Sequence, residues 1–313
     1  MNSLISIIIP AYNRADLIIS TLESIRNQTF PQFECLIVDD GSEDETEQVV
    51  SEFMESDSRF LFYKRPAGSI KGPNACRNYG FEKAKGDFIY FFDSDDFLKP
   101  HALETYIANF DTNTDGVLAR VERVDRLTGI LQDINTIESD NLIEDYFTYK
   151  VCYFVCGILW RKSFLDKQDE LFDESISNHD EWDFNLRMIY AEPKIIRIKE
   201  VLVTYFQYQD SFKNEIKKGN DFEINSAFEA KFKHLDLLVK LNPAEKNRYT
   251  SHIADSYIKT VRNKLIHGQN NWFTYYKSAV YLKFKTNSLV PVIKLTFGVI
   301  SFKIFGKGYS LFK

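Results

Sequence analysis

No acidic residue follows Asp255 in this chain of 313 residues. The whole carries 45 Asp and Glu against 39 Lys and Arg, a net −6. Residues 256–313 hold ten Lys or Arg and no acid, which leaves −16 for residues 1–255. Parts so unequal in charge meet different surroundings. Cysteine is also scarce. Cys35, Cys76, Cys152 and Cys156 are scattered, and the last two sit in the apolar run CYFVCGILW, expected as a strand that completes the sheet, without further Cys or His at zinc spacing. We read all four as reduced core residues, which excludes a disulfide framework and a structural zinc. The opening MNSLISIIIPAYN has no basic n-region, and its apolar run stops at Pro10, as suits a buried strand rather than a signal peptide. The run SLVPVIKLTFGVISFKIFG is interrupted by Pro291, Lys294 and Lys303, which argues against a membrane span. Glycine is missing where a dinucleotide turn needs it. Pro10-Ala11-Tyr12-Asn13-Arg14-Ala15 follows the first apolar run, so a nicotinamide dehydrogenase is excluded. A sugar nucleotidyltransferase wants a Gly-rich, basic loop at the same place and ranks far behind.

What is present is a core: 44% apolar and 15% aromatic residues suffice for one large domain, or for a domain with an appendage. Short apolar runs (LISIII, FECLIV, RFLFY, DFIYFF) alternate with helical periods through Ile18, Leu22 and Ile25, then Val49, Val50 and Phe53, then residues 73–84. That alternation predicts a parallel sheet covered on both faces, a doubly wound α/β domain. In such sheets ligands bind beyond the carboxyl ends of the strands. The residues there are Pro10-Ala11-Tyr12-Asn13, Asp39-Asp40-Gly41-Ser42 and Asp93-Ser94-Asp95-Asp96.

Adjacent carboxylates at Asp93, Asp95 and Asp96 repel, and a divalent cation relieves the repulsion. Oxygen ligands too few to cage an ion suit Mg²⁺ or Mn²⁺ shared with a diphosphate. Each cluster also has a plain reading: Asp-Ser-Asp-Asp as a solvated turn before the helix that Pro100 opens, and Asp-Asp-Gly as a turn. Three such clusters on near-consecutive strand ends favour a common site. There Tyr12 stacks on a base, an Asp accepts the base's imino proton, and the later carboxylates hold metal and ribose.

SIIIPAYNRADLIISTLESIRNQTFPQFECLIVDDGSEDET and ACRNYGFEKAKGDFIYFFDSDDFLKP, followed more loosely by CGILWRKSFLDKQDELFDESISNHDEWDFNLRM, resemble the family 2 glycosyltransferases of the GT-A fold over about residues 3–210. The resemblance implies an inverting, non-processive enzyme of bacterial envelope glycan synthesis. Its catalytic domain would occupy residues 1–215, with a donor half to about 115 and an acceptor half beyond. It implies that Pro10, Ala11 and Tyr12 wall a uracil pocket, that Asn13 belongs to the nucleotide-sugar site, and that Asp40, with Asp39 beside it, bonds the base. Asp93 would touch the ribose, Ser94 and Arg77 would belong to the nucleotide-sugar site, and Asp95 with Asp93 would bind Mn²⁺ or Mg²⁺. The family's base is the second acid of a Glu-Asp pair. Here the pair reads Asp180-Glu181, so Glu181 aligns with the base and the order is swapped. Taken alone, these acids read as helix-capping charges. Two family features are missing: Tyr205-Phe206-Gln207-Tyr208 has no metal-completing His, and no Gln-x-x-Arg-Trp of processive synthases occurs.

The expected reaction moves one sugar from a UDP-sugar donor to a hydroxyl of a glycan or lipid-linked acceptor, with inversion. The rival from another class is a non-catalytic nucleotide- or glycan-binding relative that serves as an assembly partner. Ile224, Phe228, Phe232, Leu235 and Leu238, then Tyr249, Ile253, Tyr257, Val261 and Leu265, predict a helical appendage over 216–313. Residues 272–313 mix aromatics with Lys, a composition that predicts peripheral contact with anionic lipid at the inner face of the plasma membrane. Nucleic acid is disfavoured by the acidic remainder of the chain.

Overall fold

The computed structural model describes residues 3–208 and 219–306. The boundary expected near 215 and residues 307–313 of the expected lipid-facing tail lie outside the described residues. The chain divides into two compact units. The first comprises Met1–Ser175 and Asp180–Tyr208, the second Ile176–His179 and Gln209–Lys313.

In the first unit, β1 (Ile5–Ala11) lies parallel between β2 (Phe33–Asp39) and β4 (Phe88–Phe91), and β3 (Phe60–Lys64) extends the sheet beyond β2. Crossovers run through α1 (Ile18–Arg26), α2 (Thr46–Met54) and α3 (Pro73–Lys83). Every residue of β1, β2 and β4 is buried, which is why these strands read as unbroken apolar runs. The later elements are β5 (Phe97–Leu98), α4 (Ala102–Ala108), β6 (Gly116–Asp125), β7 (Leu131–Ile134), α5 (Leu142–Phe147), β8 (Ile158–Arg161), α6 (Lys162–Leu165), α7 (Asp180–Tyr190) and β9 (Ile195–Gln207). The sheet order is β3-β2-β1-β4-β8-β6-β9-β5, with β7 on β6. Strands β1 to β4 pair in parallel throughout, whereas the short β5 lies antiparallel to β9. The second half joins it through β8, antiparallel to both β4 and β6. The chain leaves β1 on one side for β2 and returns on the other side to β4, so a crevice opens between their carboxyl ends.

Two expectations need correction. CYFVCGILW is not one strand: Val155–Gly157 forms a 3₁₀ turn and β8 starts at Ile158. The amide of Val155 bonds the Glu181 carboxyl instead of a ladder partner, which bends the chain there. Cys35, Cys76 and Cys156 are buried free thiols, but Cys152 is exposed and forms no part of the core.

The Ala-Arg-Asn-x-Gly stretch of α3 has a physical reading position by position. A Cβ on Gly80 would meet Ile8 Cγ2 at 2.4 Å, so glycine lets α3 lie close on β1. The Asn78 amide donates to Phe172 O (2.9 Å) and accepts from Phe172 N (3.1 Å), tying down the segment that leads to α7. Arg77 faces the crevice.

The second unit contains α8 (Asp221–Leu241), α9 (Lys246–Ile266), α10 (Trp272–Lys285) and α11 (Leu289–Phe305). Ile224, Phe228, Leu235 and Leu238 of α8 and Tyr249, Ile253, Val261 and Leu265 of α9 are buried. The rings of Phe228 and Tyr257 stack at 3.6 Å. Two buried lysines have acid partners: Lys264 with Asp221 and Lys283 with Asp255, each at 2.7 Å.

Gly80→Ala is expected to cost about 1–3 kcal/mol of stability through overpacking. Thermal unfolding of Gly80→Ala, Ile8→Ala and the double variant measures this. The double variant should lose less than the two single losses combined, because Ile8→Ala removes the clashing methyl; additive losses would refute the contact.

Candidate functional site

Parallel register sets Ala11 beside Asp39 and Ile8 beside Phe91, so Tyr12, Asp40 and Asp93 leave the sheet at one rim. Pro10 and Ala11 belong to β1 itself and are buried. Tyr12 is 38% exposed, and Lys71 Nζ lies 3.8 Å from its ring centre. Asn13 turns the chain in the left-handed region (φ 51°). Its amide donates to Ser42 Oγ (2.9 Å) and its side chain accepts from Glu43 N (2.9 Å), fastening the first loop to the second. Asp39 accepts from the amides of Gly41 and Ser42, both at 3.0 Å, as a turn-forming acid does. Asp40 is buried and ion-paired with Arg65.

The four residues after β4 diverge. Arg77 Nη2 donates to Asp93 Oδ1 at 2.9 Å. Ser94 is buried. Asp95 lies 3.9 Å from Arg14 Nη2. Asp96, 1% exposed, turns inward, where Phe206 N donates to Oδ1 (3.1 Å) and Cys156 Sγ to Oδ2 (3.6 Å). Burial, then the charges of Asp93 and Asp95, hold its carboxyl well above the usual range. The expected triple carboxylate cluster therefore does not form. No group of three or more His, Cys, Asp or Glu side chains able to hold a metal occurs among the described residues. Asp96 anchors the end of β9, because a buried carboxyl needs a donor more than it needs a neighbouring acid.

Opposite, α7 begins with its acids. Arg77 is 5% exposed, and its Nη1 donates to Asp180 Oδ2 at 2.9 Å, so one guanidinium links Asp93 at the end of β4 to Asp180 at the start of α7. Burial opposes that charge, but Asp93 and Asp180 raise its pKa above the ordinary arginine value. Its Nε has no partner. Glu181 accepts from Val155 N. Burial, then the Asp93 charge, push the Glu181 carboxyl up to about 8. Asp95 is pushed up to about 6 by burial and by Asp93. Tyr208 stands where the resemblance would place a histidine. Its hydroxyl is buried without a partner, and after burial the charge of Asp95 is the main influence raising its pKa.

A hard divalent cation fits this donor set. Two carboxylates, Asp93 and Asp95, stand at the rim, where burial and then the charge of Asp93 raise the proton affinity of Asp95, and a bound diphosphate would complete the oxygen shell. Sequence reasoning missed Arg14, Arg65 and Lys71. Long cations reaching across from loops follow no period; only their position a few residues beyond strand ends marks them. A separate surface hollow of about 610 Å³ beside α3, lined by Asn78, Glu82, Asp169, Phe172 and Glu174, contains none of the candidate residues.

A doubly wound sheet with carboxylates at its switch point, completed by antiparallel strands and followed by helices, defines the GT-A class. Residues 6–166 match glycosyl transferase family 2, and the chain belongs to that family. It is 37% identical over 101 residues to the GalNAc(5)-diNAcBac-PP-undecaprenol beta-1,3-glucosyltransferase of Campylobacter jejuni, covering 32% of each protein. It is 27% identical over 201 residues to the teichoic acid poly(glycerol phosphate) polymerase of Staphylococcus epidermidis, covering 63% of this chain and 27% of that one. The matches span less than half the length of these curated relatives. Among solved structures, S. aureus TarS 1–349 in complex with UDP-GlcNAc superposes with a TM-score of 0.68 at 18% identity, over 98% of this chain and 89% of that one.

The Glu181 environment makes a stability prediction. Its folded pKa of about 8 exceeds the ordinary 4.5, so the proton it keeps favours the folded state below pH 4.5, and that contribution is lost as pH rises through 8. Glu181→Gln should therefore melt a few degrees above the native chain at pH 9 and level with it at pH 5. An equal difference at both values would contradict the assigned environment.

Proposed function

We propose that this protein transfers a single sugar from a UDP-sugar, a hexose or N-acetylhexosamine, to a hydroxyl of a glycan or lipid-linked acceptor with inversion. The observation that carries this reading is the Asp93–Arg77–Asp180 bridge. It ties the rim that would hold the donor to the helix that presents Glu181.

Tyr12, Pro10 and Ala11 border the base site, Asp40 faces the base with Arg65 fixing its carboxylate, and Asp93 with Ser94 meets the ribose. Asp95 and Asp93 are the residues that would hold Mn²⁺ or Mg²⁺. When bound, the ion neutralises charge developing on the departing diphosphate. Glu181 takes the proton from the acceptor hydroxyl as its oxygen attacks the anomeric carbon, from the face opposite the leaving group. Attack and departure share one oxocarbenium-like displacement, so the anomeric configuration inverts without a covalent intermediate. A base whose pKa lies near neutrality gives the best compromise between being ionised and being basic. Asp180 holds Arg77 and orients the first turn of α7. The S. aureus TarS complex with UDP-GlcNAc supports a uridine diphosphate donor. The name of the C. jejuni relative supports a lipid-linked acceptor. We place the reaction at the cytoplasmic face of the plasma membrane, a placement supported by the acid-free, aromatic-rich tail.

Nucleoside diphosphate release from UDP-, GDP- and dTDP-sugars, with Mn²⁺ or Mg²⁺ and with or without membrane-extracted glycolipid, tests the reading. UDP-sugars should turn over and the product should show the inverted anomer by NMR. Glu181→Gln should lower kcat by about 10²–10⁴ and leave UDP affinity within about three-fold, since an uncharged isostere keeps the shape. If UDP binds with metal yet no donor turns over, the non-catalytic relative is the correct reading.

Cation affinity should follow the Asp95 carboxyl, whose pKa is about 6. Because the ion requires the ionised form, Mn²⁺ binding measured calorimetrically should tighten by up to about ten-fold per unit below pH 6 and level off above it. A flat profile from pH 5 to 7.5 would exclude Asp95 as a ligand.

A further inference from the structure

In α11, Val290, Ile293, Phe297, Ile300 and Ile304 are between 49% and 65% exposed. Their spacing runs in steps of three and four, so they form one apolar stripe along the helix. Leu295 and Val299, on the other side, are buried within the unit. At 100° per residue, Lys294 lies about 80° from the centre of the stripe on one side and Lys303 about 100° on the other. Both are exposed. The neighbouring α10 exposes Phe273, Tyr281 and Phe284 together with Lys277 and Lys285. Tyr276 of α10 shares a 2.8 Å hydrogen bond with Thr296 of α11, and Lys303 lies 5.3 Å from the Trp272 ring, so the two helices run side by side and antiparallel.

We propose that this stripe docks on an anionic phospholipid bilayer, the helix lying in the headgroup boundary with its lysines in the lipid phosphates. The inference deepens the membrane placement above by naming the surface responsible. The charge distribution chooses the occupant. The same spacing suits packing against the α11 of a second copy, but a second copy brings the same lysines, and no acid occurs anywhere after residue 255 to answer them. The acid nearest in sequence, Asp255, is paired with the buried Lys283, and Asp221 at the start of α8 with the buried Lys264. An anionic lipid surface supplies the missing sign, and its acyl boundary accepts the exposed Phe and Ile. No helix among the described residues is long and apolar enough to cross a membrane.

Co-sedimentation of the full chain with acceptor-free vesicles tests the face independently of turnover. Vesicles of phosphatidylcholine with phosphatidylglycerol should bind at least ten-fold better than phosphatidylcholine alone, and high salt should erase the difference. Phe297→Glu combined with Ile300→Glu should lower binding more than ten-fold, and Lys294→Glu or Lys303→Glu about five-fold each. Because all four positions are exposed, melting temperature and UDP release from a soluble acceptor should be unchanged. Absence of binding by the native chain, binding unaltered in the paired glutamate variant, or a dimer in light scattering that this variant dissolves would each overturn the proposal. Failure of turnover with vesicle binding intact would count against the transfer reading alone.

Discussion

One buried guanidinium holds the site together. Arg77 reaches from α3 to Asp93 on one side and Asp180 on the other, at 2.9 Å each. These carboxylates end different parts of the fold, the central strand β4 and the late helix α7. Without the cation two partly buried negative charges would face each other, a loss of the order of 3–5 kcal/mol where an ion pair is broken by removing one member. Close packing makes the reach possible, since Gly80 lets α3 sit against β1 and Asn78 pins the chain at Phe172 just ahead of α7. The bridge is imperfect as a stabilising device, because Arg77 Nε is buried without a partner. A residue kept at such a position at a cost in hydrogen bonding is better explained by what it aligns than by what it stabilises.

Four consecutive residues illustrate how environment divides labour among like groups. Asp93 is answered by an arginine at hydrogen-bond length, Asp95 by the more distant Arg14, and Asp96 by an amide and a thiol in the interior. The charge of Asp93 acts on both Asp95 and Glu181. The raised pKa values of Asp95 and Glu181 thus have a shared origin: burial, and the charge of Asp93 between them. Whatever binds at the rim and carries positive charge lowers both together.

The donor half could be read from the chain because buried parallel strands write themselves as continuous apolar runs, and because switch-point chemistry falls immediately after them. Asp39, Asp40 and Asp93 were placed at the strand ends that way. The same logic misjudged Asp96, since neighbours in a loop can point to opposite sides and no period governs them. It missed Arg65, whose pairing with Asp40 spans a crossover. It also took CYFVCGILW for one strand, because apolar content does not reveal that Val155 gives its amide to a side chain 26 residues ahead. Cys152 was misplaced for a related reason: one residue in an apolar stretch can still face solvent at a bend.

The interchange of acids at the start of α7 follows from the same geometry. Consecutive residues on a helix point about 100° apart, so positions 180 and 181 cannot serve one partner. Position 180 faces Arg77, close by, and an aspartate makes that contact at ordinary hydrogen-bond length. Position 181 must reach the turn at Val155 while remaining within the field of Asp93, and the extra methylene of glutamate supplies the reach. An aspartate there would be one carbon short of the amide, and a glutamate at 180 would crowd Arg77 against Asn74, which already shares its Nη1 at 3.2 Å. The swapped order is thus a matched pair of lengths, set by where the bridge and the 3₁₀ turn stand.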